Sequence, residues 1–170
     1  KGKYISYANC GLPYYIGGTI GDRSKLFVQT VRGFVERLRI DIRNEQEVVA
    51  IHPDTKTVDV KNLQNGEIYS EKYDKLALSP GAEPLRPGIP GIDSPMIFTL
   101  RNVNDTDAIK SYVTDVKPHS AVIVGGGFIG LEMAENLHAQ GLAVTVVEMA
   151  DQVMAPLDFS MAQFVHEELV

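Results

Sequence analysis

The sequence predicts an α/β protein: a strand–helix–strand unit preceded by an antiparallel β-meander. Three stretches predict it. Ser120-Ala-Val-Ile-Val runs into Gly125-x-Gly127-x-x-Gly130, then into helically spaced apolar residues, and a second apolar run over 144–147 ends in Glu148, eighteen positions past Gly130. Asn65-Gly66 stands between two strand-like runs, the residue pair a tight hairpin prefers. Residues 84–95 hold four of the nine prolines and read as a linker between domains.

The first stretch is the most informative. Ala121 to Val124 have the apolar, largely β-branched character of a buried parallel strand. Leu131, Met133, Ala134 and Leu137 mark a helix over 131–140 that Gly141 stops. Gly125 permits the tight turn, Gly127 lets backbone approach a pyrophosphate, and Gly130 lets the helix pack closely on the strand. The phosphates sit at the helix N-terminus, where unpaired N–H groups and the dipole favour negative charge. Glu148 is placed to accept hydrogen bonds from both hydroxyls of an adenine ribose. A glycine-rich turn that binds nothing is the alternative; strand, helix, second strand and acid in series favour a dinucleotide.

Earlier in the chain, Pro13 suits the first turn of a helix and Asn9 its N-cap. Cys10 is then expected at or near a helix N-terminus, where the dipole enriches thiolate. Burial as a structural thiol is the other reading, and the residues alone leave both open. Residues 26–40 read as an amphipathic helix with Thr30 a candidate cap and Val31, Phe34, Val35 and Leu38 its buried face. Arg32, Arg37, Arg39 and Arg43 make this the most basic region; a solvated face is the ordinary meaning, an anionic substrate the rarer one. Two strands over 48–59 flank His52-Pro-Asp-Thr, and 56–63 pairs with 67–70 across Asn65-Gly66. Leu76 to Leu78 is expected as a short buried strand ending in Ser79-Pro-Gly-Ala, and 96–100 as another strand. Asn104-Asp-Thr-Asp107 is expected to cap a helix over 108–113, and 159–170 returns to helical spacing. His52 and His119 fall in loops, His138 and His166 in helices, and no pair has metal-ligand spacing.

The 170 residues carry a net charge of −6, which supplies no footprint for nucleic acid. No apolar run approaches the ~20 residues needed to cross a bilayer, and no signal peptide is visible. A single cysteine excludes an internal disulfide and is expected of a reducing, cytoplasmic setting. The chain opens on Lys1, stops at Val170 inside a helical pattern and holds one βαβ unit, so an internal fragment of a longer protein is expected.

Three segments together resemble the flavin-dependent pyridine nucleotide–disulfide oxidoreductases, in particular the single-cysteine branch of coenzyme A-disulfide reductases and NADH-dependent persulfide reductases. They are Ser6-Tyr-Ala-Asn-Cys10-Gly-Leu-Pro-Tyr-Tyr-Ile-Gly17, Tyr73-Asp-Lys-Leu-Ala-Leu-Ser-Pro-Gly-Ala82, and the unit from Gly125 to Glu148. The resemblance implies parts of two Rossmann-like nucleotide-binding domains: residues 1–95 a partial FAD domain holding the meander and the redox cysteine, residues 96–170 the start of an NAD domain. It implies Cys10 as the catalytic sulfur, and Ser6 and Asn9 as coenzyme A contacts. Val48, Ser79 and Gly81 match flavin contacts. Gly125, Gly126, Gly127, Phe128, Ile129, Gly130, Glu132 and Glu148 match the NAD site, with Glu132 near the nicotinamide–flavin junction. FAD, NADH (or NADPH) and coenzyme A are the implied cofactors, NADH being preferred because Glu148 repels a 2′-phosphate. A disulfide or persulfide is the implied substrate and a homodimer the implied assembly. Tyr14 and Tyr15 pack about the cysteine helix without a catalytic role. The runner-up within the family is an NADH peroxidase or oxidase cycling through a sulfenic acid. From another class, a non-catalytic NAD-binding or redox-sensing module is the alternative.

Overall fold

A computed structural model describes residues 1–169. Contacts divide the chain into two compact units, one of Lys1–Tyr7 with Phe27–Glu83, the other of Ala8–Leu26 with the chain from Pro84 onward.

In the first unit, β1 (Gln46–His52), β2 (Thr57–Asn62) and β3 (Ile68–Lys72) form an antiparallel sheet in the order β1-β2-β3. Alternation places Val58 and Val60 of the central strand on one face, and both are buried. The β1–β2 register slips between Val48 and Ala50, leaving Val49 as the extra residue of a bulge. The β2–β3 connection is wider than a two-residue turn: the Asn62 N–H reaches the Glu67 carbonyl at 2.8 Å, and Gly66 takes φ +78°. His52 closes β1 instead of lying in a loop, and its Nε2 meets an Asp59 carboxylate oxygen at 2.8 Å.

The helix expected over 26–40 is shorter. Thr30 caps α2 (Val31–Gly33) through Gly33 N–H at 3.1 Å, and the chain continues as a π-helical stretch over Phe34–Leu38. Of its expected buried face, Val31 and Phe34 are half-buried, while Val35 is 48% and Leu38 56% exposed. Periodicity reports which face is apolar, and here only its first half is partly covered. Leu76–Leu78 is likewise no strand, and Leu78 is 67% exposed. A strand exists through its partner's hydrogen bonds, and none of the described strands lies beside it. Residues 96–100 fail as a strand for the same reason.

The second unit holds α1 (Leu12–Ile16), α3 (Val103–Val116), β4 (Ser120–Val124), α4 (Phe128–Ala139), β5 (Ala143–Val147) and α5 (Phe159–Glu168). Val170, the last residue of the helix expected over 159–170, lies outside the described residues. β4 and β5 pair in parallel with Ser120 opposite Ala143 and Val124 opposite Val147, with α4 as the crossover that parallel strands need. Ile16, Ile109, Met133, Leu137 and Leu142 form the core, with Leu100, Val113, Ala121, Ile123 and Val144 packed on it. Full burial of each large side chain contributes about 1.5–3 kcal/mol, so Ile16 ties α1 firmly to α3 and α4. For that reason 8–26 groups by contacts with the chain beyond Pro84, whereas the sequence division near 95 keeps it with the meander.

α4 ends in a Schellman arrangement. Gly141 at φ +88° sends its N–H to His138 O (2.8 Å), and Leu142 N–H reaches back to Leu137 O (3.2 Å). α3 starts five residues before the expected helix and takes Asn102 as its cap, not Asn104. Asn102 Oδ1 accepts the Asn104 and Asp105 N–H groups at 2.8 and 3.1 Å, while Asp105 Oδ2 accepts the N–H of Asn102 at 3.2 Å. That reciprocal pair satisfies donors a bare helix end leaves unpaired. Asn102→Ala is expected to lower unfolding stability by about 1 kcal/mol, read as a fall in the urea midpoint at unchanged m-value.

Candidate functional site

The dinucleotide candidate is the turn between β4 and α4. Gly125 leaves β4 at φ +109°, its N–H on Val147 O at 2.8 Å, so the turn is tied to the neighbouring strand. At Gly130 a Cβ would lie 2.0 Å from the Gly125 carbonyl oxygen, closer than any side chain tolerates. The helix stands that near the strand because position 130 carries only hydrogen. Gly127 is the N-cap, extended, with no side-chain cap and open space where a Cβ would stand. The first intrahelical bond recorded there is Leu131 N–H to Gly127 O at 3.0 Å. The N–H groups of Phe128, Ile129 and Gly130 thus lie ahead of the helix's own ladder, the arrangement that receives phosphate oxygens. The Phe128 and Ile129 side chains are exposed.

Glu148 lies just past β5, half-buried. Its Oε2 accepts the Gly126 N–H at 2.6 Å and its Oε1 the Ala150 N–H at 2.8 Å. These bonds, Ala150's first and then Gly126's, hold the carboxyl below its ordinary value, so it is ionised at neutral pH. Each carboxylate oxygen keeps a further acceptor position, enough for a ribose diol. Glu148 therefore braces the loop as well as offering acceptors. Glu132 is the fifth residue of α4 and half-buried.

Cys10 lies in a 3-10 turn, Asn9–Gly11, that leads into α1; it is exposed and free. The expected Asn9 cap is not made: neither the turn nor α1 has a side-chain cap. Pro13 does fall in the first turn of α1. Tertiary contacts replace the cap. Leu12, Pro13 and Ile16 are buried on one side, and a Cβ at Gly11 would meet Ile20, Ala8 and Leu26 at 3.2–3.4 Å. At the far end the Lys110 ammonium donates to Tyr15 O at 2.6 Å and sits 4.6 Å from the Tyr15 ring centroid. The Gln140 amide donates to Gly17 O, and a Cβ at Gly17 would overlap Asn136 Oδ1. Arg23 adds a bidentate pair to Asp107, at 2.6–3.1 Å. Sequence reasoning missed Lys110, Asn136 and Gln140. Lys110 and Gln140 bond to residues more than ninety positions away and Asn136 packs against one, and no local spacing signals that.

Ser6 stands apart in the first unit, half-buried, its carbonyl accepting the Val28 N–H at 3.1 Å. Val48 is on β1 and 53% exposed; Ser79 and Gly81 are exposed in irregular backbone, Gly81 at φ +75°. Among the described residues no group of three or more His, Cys, Asp or Glu could hold a metal ion, and no helix is long and apolar enough to cross a membrane.

The family model for pyridine nucleotide-disulphide oxidoreductases matches residues 1–170. The chain belongs to this family. Its members depend on FAD and NAD(P)H. The coenzyme A disulfide reductase of Staphylococcus haemolyticus is 41% identical over 169 residues, 99% of this chain and 38% of that protein. The crystal structure of reduced Bacillus anthracis CoADR-RHD is 56% identical, with a TM-score of 0.95 over 99% of this chain and 30% of that one. An NAD-dependent persulfide reductase from A. fulgidus is 36% identical, with a TM-score of 0.91 over 99% and 31%. The chain thus spans 38% or less of these relatives.

The two family cofactors fare differently against the residues of this chain. The glycine turn, with its open Gly127 and forward-facing N–H groups, fits a pyridine dinucleotide. Val48, Ser79 and Gly81 are all exposed and do not by themselves enclose a flavin ring system.

Two outcomes are expected. Gly130→Ala should cost about 1–3 kcal/mol through the clash with Gly125 O and weaken NADH binding, measured by thermal denaturation and fluorescence titration. Glu148 should titrate below an ordinary glutamate in carboxyl-detected NMR. Its contribution to stability is present above the unfolded-state pKa and fades as pH falls through the depressed folded value.

Proposed function

We propose that the full-length protein reduces coenzyme A disulfide or coenzyme A persulfide with electrons from NADH, using Cys10 as its one redox sulfur. The observation that carries this reading is Cys10 itself. It is the single cysteine of the chain, exposed at the head of a helix whose base is locked into the core. These 170 residues hold no second thiol to pair with it, which supports exchange with an external sulfur. The names and high identity of the coenzyme A disulfide and persulfide reductases support the substrate class.

On this reading residues 1–95 contribute to a flavin domain, with Val48, Ser79 and Gly81 on the flavin, and residues 96–170 open the NAD domain. Gly125, Gly126, Gly127, Phe128, Ile129 and Gly130 hold the pyrophosphate, Glu148 the adenine ribose, and Glu132 lies toward the nicotinamide. Flavin and nicotinamide, when bound, supply an electron pair. Cys10 starts the cycle in a mixed disulfide with coenzyme A. Two electrons and a proton break that S–S bond, leaving the Cys10 thiolate and releasing coenzyme A thiol. The thiolate then attacks one sulfur of the next disulfide, re-forming the mixed disulfide and expelling a second coenzyme A thiolate that takes up a proton. Per turn, one disulfide, one NADH and one proton become two thiols and NAD⁺. With coenzyme A persulfide the second sulfur leaves as hydrogen sulfide.

Asn9 beside Cys10 is assigned to coenzyme A, as is Ser6. Arg37 and Arg39 are exposed cations suited to its phosphates. We further assign the protein to the cytoplasm as a homodimer; a lone thiol and a net charge of −6 fit that setting.

Cys10→Ser in the full-length protein should lower reduction of coenzyme A disulfide and persulfide by about a thousandfold or more while leaving the NADH Kd within about twofold. Intact mass should show a coenzyme A-sized adduct that reductant removes from wild type and that the variant lacks. Turnover with peroxide alone, or undiminished turnover in Cys10→Ser, rejects the proposal.

A further inference from the structure

We propose that His166, on α5 and outside the glycine turn, is a positioning residue for pyridine-nucleotide binding; the inference rests on reading that turn as the nucleotide site. His166 Nε2 accepts the Val153 N–H at 3.1 Å. Accepting there places the ring proton of the neutral imidazole on Nδ1. The next residue, Met154, sends its own N–H to the Gly126 carbonyl at 2.8 Å. Val153 and Met154 are both buried, and Met154 takes φ +53°, a conformation a methionine holds only where its surroundings impose it. The Val153 side chain also backs the turn: a Cβ on Gly126 would stand 2.7 Å from Val153 Cγ1. Gly126 in turn donates its N–H to Glu148.

A chain of contacts therefore runs from the α5 imidazole through 153–154 to Gly126 and the ribose-facing carboxylate. Removing the acceptor leaves the Val153 N–H unpaired in a partly buried place, where an orphan donor is costly. The strained 153–154 backbone is then free to relax away from Gly126. His166 itself need not touch the dinucleotide; it acts through the segment that sets the turn.

The experiment uses the full-length protein and NADH as the probe. His166→Phe fills the ring's volume without an acceptor; His166→Gln returns an acceptor oxygen near the Nε2 position. Phe is expected to raise the NADH Kd about tenfold and Gln to stay within about twofold of wild type, with kcat at saturating NADH little changed in both. Equal affinity in all three proteins overturns the inference, as does a Gln variant as weak as Phe, which would assign the effect to packing. Should the Phe variant fail to fold, hydrogen–deuterium exchange of wild type decides. NADH should slow exchange across 150–157, and unchanged exchange there overturns the inference. If wild type binds no NADH, the reading of the turn itself fails, a result distinct from any of these.

Discussion

The approach of α4 to the end of β4 governs this molecule. With hydrogen at position 130, the helix starts almost on the Gly125 carbonyl, and its leading N–H groups face outward past the strand end. Any side chain there would push the helix away by more than an ångström, and two consequences would follow together. The helix dipole would lose its aim at the space beyond β4, and Met133, Ala134 and Leu137 would lose their seat in the core. One missing carbon thus sets both the packing of the helix and the outward aim of its first N–H groups, which is why the turn is so legible in sequence.

The cysteine is positioned by a different principle. α1 has five residues and no side-chain cap, too little to persist by its own propensity. It is ordered by what it buries and by donors arriving at its last carbonyls from Lys110 and Gln140. Those carbonyls carry the negative end of the small helix dipole, so an ammonium there is favourable for charge as well as for hydrogen bonding. The sulfur at the opposite end is left exposed on a rigid base.

Legibility follows the range of the forces involved. The strand–turn–helix–strand unit, the meander, the Thr30 cap and the Gly141 stop depend on neighbours within a few positions, and spacing reveals them. The lost strands at 76–78 and 96–100 depend on partners that no local pattern can supply. Val35 and Leu38 show the converse: an amphipathic pattern is real, yet these two residues of its apolar side stay exposed. The start of α3 was misplaced by five residues because Asn102 and Asn104 are chemically alike; only the reciprocal bonds between Asn102 and Asp105 separate them. At the site, Cys10, the glycines and Glu148 were readable as residue types, whereas the grip of Lys110, Asn136 and Gln140 on α1 was not.

That grip has a consequence for biosynthesis. Everything that orders the cysteine segment emerges later from the ribosome: Lys110, then Asn136, Gln140 and the Leu142 side chain of the core. At about 5–20 residues per second, Cys10 waits on the order of ten seconds or more before its helix can dock. During that interval the cysteine segment lacks the contacts that order it. The rigid mounting of this sulfur is therefore completed only after α4 and the residues that follow it have been made.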